Sequence, residues 1–307
     1  MNALPRFGVF AAFLSLTAFG HASGEPVGVV YPETESRNLE QVFDTIISGV
    51  EDMIGGDIDK YTLERSFDSA ELAADIKDNE NKVLLVLGVR SRKAVNQLKL
   101  PIPVVVGAVL SETEEPGTRE VAGISHRPDP KILIEKLLSF APRIREVTVV
   151  FNPGKSQSII DEAAKAAREI GLKLDPRPVH DLRESALMYR EIAESVDPQT
   201  QAVWLLDHST IDDSFLMSLL EKAWDRRFIV FSSGIDHAKR GALFSMYPDD
   251  YRIGRELGRL ANNAEKTAEN TGISSLKLLK TAVNMRTAKH LGIDLPQRVG
   301  ESYDLAY

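Results

Sequence analysis

Two kinds of hydrophobic pattern alternate along the chain. Short runs such as Val27 to Tyr31, Val83 to Leu87 and Pro103 to Val106 are rich in Val, Leu and Ile without polar alternation, and read as strands buried on both faces. Between them lie amphipathic helical stretches, Leu39 to Met53, Ser69 to Lys77 and Arg90 to Leu98. With a further strand at Ile58 to Leu63 this makes one α/β half, whose helices satisfy the crossover that parallel strands require. After Gly117 the chain passes through Val121 to Ser125 and a helical stretch, Lys131 to Phe140, and the alternation restarts. Strands follow at Val147 to Phe151, Leu172 to Val179, Ala202 to Leu206, Phe228 to Phe231 and Ala242 to Met246. Helices fall between them at Ser158 to Ile170, Glu184 to Ser195 and Ser214 to Trp224. The tail predicts a helix from Asp250 to about Glu269 ending near Gly272, a strand from Leu276 to Val283, and a short helix from Arg286 to Leu291.

Two similar halves in series imply either two independent domains or two lobes facing each other across a cleft. The tail elements can pack on either half, which produces several crossings and therefore a hinge. Pro-rich and Gly/Ser-rich linkers are absent, favouring rigid lobes over beads on a string. The expected fold class is α/β: two doubly wound parallel-sheet lobes joined by a multi-crossing hinge. The expected division gives 23–120 with about 247–272 to the first lobe, and 121–246 with about 273–307 to the second.

Composition narrows the function. The chain has 307 residues, 43% apolar and 27% charged, which are globular proportions that argue against disorder and a multi-span membrane protein. A formal charge of -8 without a Lys/Arg block disfavours nucleic acid as a partner. The absence of cysteine excludes disulfides, thiolate nucleophiles and Cys-ligated zinc. At the amino end, Arg6, the apolar run Phe7 to Phe19 and the small residues of Gly20-His21-Ala22 read as a secretory signal peptide cleaved after Ala22. The apolar run is short of the ~20 residues that span a bilayer, so export to the periplasm is the expectation.

In open α/β sheets ligands sit outside the carboxyl ends of the strands, so the residues that follow each strand are the candidates. The first half offers Tyr31, Pro32 and Glu33, then Gly88 with Arg90 and Ser91, then Gly107 with Ser111. The second offers Asn152, Ser156 and Ser158, then Asp207, His208, Ser209 and Thr210, then Ser232, Ser233 and Asp236. These small polar groups lie near helix starts, where free N–H groups hold a carboxylate, while Asp207 and Asp236 suit an ammonium group. Together they fit a zwitterion such as an amino acid. Helix capping is the competing explanation for single hydroxyl and acidic residues, notably Ser156, Ser209 and Asp212. Asn152-Pro153-Gly154 is turn chemistry first. Tyr31 either stacks on a ligand or closes the sheet.

Catalytic constellations do not assemble. The sequence has no Gly-x-Ser-x-Gly elbow, no Walker loop and no Gly-x-Gly-x-x-Gly after its first strand. His126, His180, His208, His237 and His290 are scattered without metal-ligand spacing, and no cofactor is indicated.

From residue 121 onward the segments resemble a known family. Val-Ala-Gly-Ile-Ser at 121–125, Phe151-Asn152-Pro153-Gly154 with Ser158, Leu206-Asp207-His208-Ser209-Thr210, Lys239-Arg240-Gly241-Ala242 and Asp250-Tyr251-Arg252-Ile253-Gly254 are similar to ABC-transporter substrate-binding proteins of the tryptophan/tyrosine-binding type. Val283-Asn284, Ala288, Leu291-Gly292-Ile293 and Leu295-Pro296 look like the end of that family. The resemblance implies a type I periplasmic binding-protein fold, closing on a small ligand and delivering it to a membrane permease. It implies second-lobe contacts from Asn152, Ser158, Asp207, Ser232 and Ser233, with Ser91 in the first lobe. Arg90 and Arg92 stand where the family usually has small or hydroxyl residues, and Ser111-Glu112-Thr113 replaces an Asp-Pro turn. Two readings of the arginines stay open: a more anionic or larger ligand, or solvated surface charge.

The expected function is that of a periplasmic solute-binding protein, without covalent chemistry and monomeric. It takes an amino acid or related small molecule as ligand and an ABC permease as partner. The alternatives are an extracytoplasmic sensor for a membrane signalling protein and an exported hydrolase.

Overall fold

The structure, a computed structural model, describes residues 26–109, 119–206, 210–264, 270–296 and 299–307. The expected signal segment, Ser111 and its acidic neighbours, and Asp207, His208 and Ser209 lie outside the described residues.

In chain order the first part comprises β1 (Val27–Pro32), α1 (Arg37–Ile54), β2 (Asp59–Leu63), α2 (Ser69–Asp78), β3 (Val83–Leu87), α3 (Val89–Leu98), β4 (Val104–Val109) and β5 (Glu120–Pro128). There follow α4 (Pro130–Phe140), β6 (Glu146–Phe151), α5 (Pro153–Ile170), β7 (Lys173–Pro178), α6 (Leu182–Ser195), β8 (Gln201–Leu205), α7 (Asp213–Arg226), β9 (Ile229–Ser232), α8 (Ile235–Arg240) and β10 (Phe244–Pro248). The tail contributes α9 (Asp250–Ala264), β11 (Ile273–Leu276), β12 (Leu279–Val283), α10 (Met285–His290) and β13 (Leu305–Ala306).

The strands form two sheets. The first has the order β11-β5-β4-β3-β1-β2 and its pairings are parallel. The second runs β13-β12-β10-β9-β8-β6-β7, parallel except where β12 lies antiparallel to β10. Each sheet is covered on both faces, which is why a strand such as Val-Leu-Leu-Val-Leu at 83–87 is buried at every position. On the first sheet α1 and α9 cover one face, in a core around Val29, Leu85, Ile46 and Leu257, and a separate core around Val30, Leu72, Val86 and Val95 lies on the other. On the second sheet one core gathers α4, α5 and α10, and the opposite core gathers α6 and α7.

The lobe boundaries differ from the sequence expectation. β5 belongs to the first sheet, so the crossover comes at Asp129 rather than at 120. The expected single strand from Leu276 to Val283 is two strands, β11 in the first sheet and β12 in the second. A continuous apolar run looks the same whether or not the chain changes sheets within it. The short α8 and β13 were not expected, and α5 starts at Pro153 instead of Ser158.

The chain therefore passes between the lobes at Asp129, at Asp249, and at Lys277 and Leu278. These passages lie side by side. The Asp129 amide donates to the Leu276 carbonyl and the Asp249 amide to the Leu278 carbonyl, both at 2.9 Å. His126 at the end of β5 and Asp250 at the start of α9 are 3.0 Å apart, Nε2 to Oδ1.

Helices α1 and α9 approach backbone to backbone. A Cβ at Gly254 would stand 1.9 Å from the Ile46 carbonyl oxygen, and one at Gly49 would stand 2.2 Å from that of Tyr251. Only glycine fits at either point. The tail helix is thereby fixed to the first lobe although the chain reaches it from the second.

Candidate functional site

In the first sheet the polypeptide leaves β3 through Gly88, whose φ of 81° lies in the region that favours glycine, and turns directly into α3. Ser91 falls in the first turn of α3, fully buried, and its Oγ has no hydrogen-bond partner among the described residues. A buried hydroxyl without a partner is unfavourable in an isolated protein and needs an explanation.

The arginines flanking Ser91 are engaged. Arg92 is 2% exposed and forms a two-bond pair with Glu120 of β5, Nε to Oε1 at 2.8 Å and Nη2 to Oε2 at 2.7 Å. Arg90 donates to the Glu64 carbonyl. Arg92 matches neither the ligand-anion nor the free-surface reading of the sequence, being one half of a neutralised core pair, while Arg90, partly exposed, ties α3 to the end of β2. Tyr31, the penultimate residue of β1, packs against Phe43 of α1 with ring centroids 6.3 Å apart.

In the second sheet Asn152 caps α5. Its Oδ1 accepts from the Gly154 amide at 2.9 Å, and its Nδ2 donates to the His180 carbonyl at 3.1 Å. The cap expected at Ser156 is thus at Asn152, while Asp212 caps α7 as capping chemistry suggests, accepting from the Phe215 amide at 2.9 Å. Ser158 is exposed, and its Oγ accepts from Arg127 Nη1 at 2.7 Å. This bond joins the carboxyl end of β5 in the first sheet to the helix that begins at the carboxyl end of β6 in the second. Sequence reading missed Arg127: the two residues are 31 positions apart, and nothing local marks the partnership.

After β9 the two serines differ. Ser232 is fully buried, with Oγ 2.6 Å from His237 Nδ1, accepting from the Gly234 amide at 2.9 Å and donating to the Leu205 carbonyl at 3.2 Å. Ser233 is partly exposed and its Oγ accepts from Trp204 Nε1 at 3.1 Å. Asp236 is exposed in the first turn of α8. Thr210, next to the undescribed segment 207–209, is buried, its carbonyl accepting from the Ser185 hydroxyl and its Oγ1 lying 3.3 Å from Tyr189 OH.

The strand ends of both sheets thus present hydroxyl, carboxamide and guanidinium groups at helix starts. Among the described residues no helix is long and apolar enough to cross a membrane.

A family model described as ABC transporter substrate binding protein matches residues 35–304. No curated protein sequence matches the chain. Among solved structures it is similar to the ligand-free, open form of a substrate-binding protein with adhesive properties from Clostridium difficile, at 18% identity and a TM-score of 0.65, covering 92% of this chain and 99% of that one. It is also similar to an ABC domain in complex with L-Trp from Streptococcus pneumonia, at 17% identity and a TM-score of 0.56, covering 93% and 100%. A periplasmic ribose ABC transporter structure from Conexibacter woesei aligns at 14% identity and a TM-score of 0.54 over 85% of this chain and 93% of that one. The fold is that of type I periplasmic binding proteins. With a family model spanning nearly all of its folded part, the chain belongs to the ABC transporter substrate-binding proteins, a family that binds its substrates without converting them.

Proposed function

We propose that this chain is an exported, monomeric solute-binding protein that captures a small polar, amino-acid-like ligand between its lobes and delivers it to an ABC permease. The observation that carries the reading is the family match over residues 35–304, on a fold whose two sheets both end in small polar groups at helix starts. Ser91, Ser158, Ser233 and Asp236, with Tyr31, Asn152, Asp207 and Ser209, form the proposed ligand-contact set. Ser232, consumed by its own neighbours, acts by positioning the β9 turn. The L-Trp bound in the pneumococcal relative supports an amino acid as ligand. The apolar run Phe7 to Phe19 behind Arg6 supports export to the periplasm.

Delivery to a permease has its own support. Leu39, Val89, Leu182, Phe215 and Ile235 are exposed, and each sits in the first turn of a helix that follows a strand, on one lobe or the other. Apolar groups on the rims of both lobes suit a partner that reads the lobes together. Mechanistically, a ligand that contacts both lobes stabilises the closed arrangement by its differential affinity for it.

The test is thermal-shift and calorimetric screening of amino acids, short peptides, purines and organic acids, with mass spectrometry of the recovered ligand. Saturable binding of an unchanged amino-acid-like compound is expected. Turnover, or no binding across the panel, would overturn the reading.

A further inference from the structure

Two arginines associated with β5 invite comparison. Arg92 meets Glu120 of that strand in a buried two-bond pair and has its counter-ion built in. Arg127, the penultimate residue of β5, does not. It is partly buried, its guanidinium donates to one neutral acceptor, Ser158 Oγ, and among the described residues no carboxylate lies within ion-pair distance.

Among the described residues, the acidic groups at the hinge have other partners. Asp129 accepts from the Lys131 amide at 2.9 Å, Asp250 faces His126 at 3.0 Å, and Asp249 faces Lys280 at 3.4 Å while accepting from the Arg252 amide. Among the described residues Arg127 is a partly buried cation with no acidic partner. A guanidinium offers five donors in a planar fork that matches a carboxylate. One of them is used here.

We propose that Arg127 is a specificity-determining residue of the cleft, and that the ligand carries a carboxylate which engages its free donors beside the Ser158 hydroxyl. The inference rests on the solute-binding reading and names the charge of the substrate class. Position supports it: Arg127 is at the carboxyl end of a strand, where ligands of open α/β sheets bind, and Ser158 is on the opposite lobe. A carboxylate held from both sides ties recognition of charge to lobe closure, because the interaction is complete only when the lobes meet. A neutral amide in the same place offers one acceptor and no charge.

The experiment is calorimetric titration of the full chain with matched pairs: L-tryptophan and L-tryptophanamide, L-tyrosine and its amide, succinate and succinamide, glycylglycine and its amide. Adenine and ribose form a neutral arm. The wild type is expected to bind at least one carboxylate about 10-fold or more tighter than its amide. Arg127→Gln is expected to weaken that carboxylate about 10- to 100-fold and to leave the amide's affinity unchanged. Arg127→Lys, which keeps the charge without the fork, falls between, and Ser158→Ala tests the other lobe without touching the guanidinium.

Equal affinities for carboxylate and amide, or an equal loss for both in Arg127→Gln, would reduce Arg127 to a tie between lobes and overturn the inference. Binding confined to the neutral arm overturns it too, while the solute-binding reading survives. No binding of any probe by the wild type removes the amino-acid-like reading and this inference with it.

Discussion

Arg92 and Glu120 are the residues whose side chains join α3 to β5 inside the first lobe, each nearly excluded from water and each meeting the other through two bonds. Breaking such a pair on one side leaves a bare charge in the core, which costs about 3–5 kcal/mol. Arg92→Met and Glu120→Gln should therefore each lower the denaturant midpoint sharply. The double replacement Arg92→Met with Glu120→Leu should recover most of the loss. A single variant as stable as the wild type in urea would contradict the buried-pair assignment.

Ser91 and Ser232 make an opposed pair of tests. Both are fully buried serines at strand ends, but Ser91 Oγ lacks a partner whereas Ser232 Oγ has three. Ser91→Ala should leave thermal stability unchanged or raised and weaken ligand binding. Ser232→Ala should lose about 1–3 kcal/mol of stability, because His237 and the Gly234 amide are left short of a partner. The reverse outcome would exchange their roles.

Alanine at Gly254 or Gly49 places a methyl group inside a backbone carbonyl of the facing helix. Neither helix can yield without moving away from its sheet, so each substitution should cost about 3 kcal/mol or more, at the top of the overpacking range. Gly55→Ala serves as a contrast: it meets nothing in space and strains only its left-handed backbone, φ 70°. Chemical denaturation of the three variants ranks them.

Alkaline stability should depend on Tyr61. Its hydroxyl donates to Asn81 Oδ1 at 2.6 Å and accepts from Asn79 Nδ2 at 2.9 Å, and burial pushes its pKa above the ordinary 10.0. A phenol whose folded pKa is raised contributes stability that is fully present below 10.0 and is lost as the pH climbs from there through the folded value. Tyr61→Phe should be less stable than the wild type at neutral pH by about 1 kcal/mol, from the unmet Asn81 acceptor. Its stability should fall less steeply above pH 10. Tyr247, also raised by burial, keeps its own share of the slope. Parallel pH profiles for wild type and variant would refute the assignment.

Much of this fold is legible in the sequence because buried parallel strands have an unmistakable composition. Val83 to Leu87 was readable to the residue, and Lys131 to Phe140 to within one position. What the sequence could not give is the destination of an apolar run. Residues 276–283 read as one strand, yet the chain changes sheets inside them, because hydrophobicity records burial without saying which neighbour supplies it. The candidate site was legible in position and not in depth. The rule of strand ends finds Ser91, Ser158, Ser232 and Ser233, but only the folded arrangement shows that Ser232 faces inward among its own neighbours and Ser158 outward toward Arg127. Arg127 itself was hidden because its significance lies in its surroundings, Ser158 on the other lobe and no carboxylate among the described residues, a property of space and not of spacing.

The glycine-lined contact between α1 and α9 also fixes an order of events. One layer of the amino-terminal core, around Ile46 and Val50, is sealed by Ile253, Leu257 and Ala261, which are synthesised some two hundred residues later. Until that helix arrives the early layer stays open on one side, so the first half does not mature as a self-contained unit while the second is being synthesised. Long-lived exposure of that layer is the hazard the arrangement creates, and a chaperone acting on the nascent chain would find its target there.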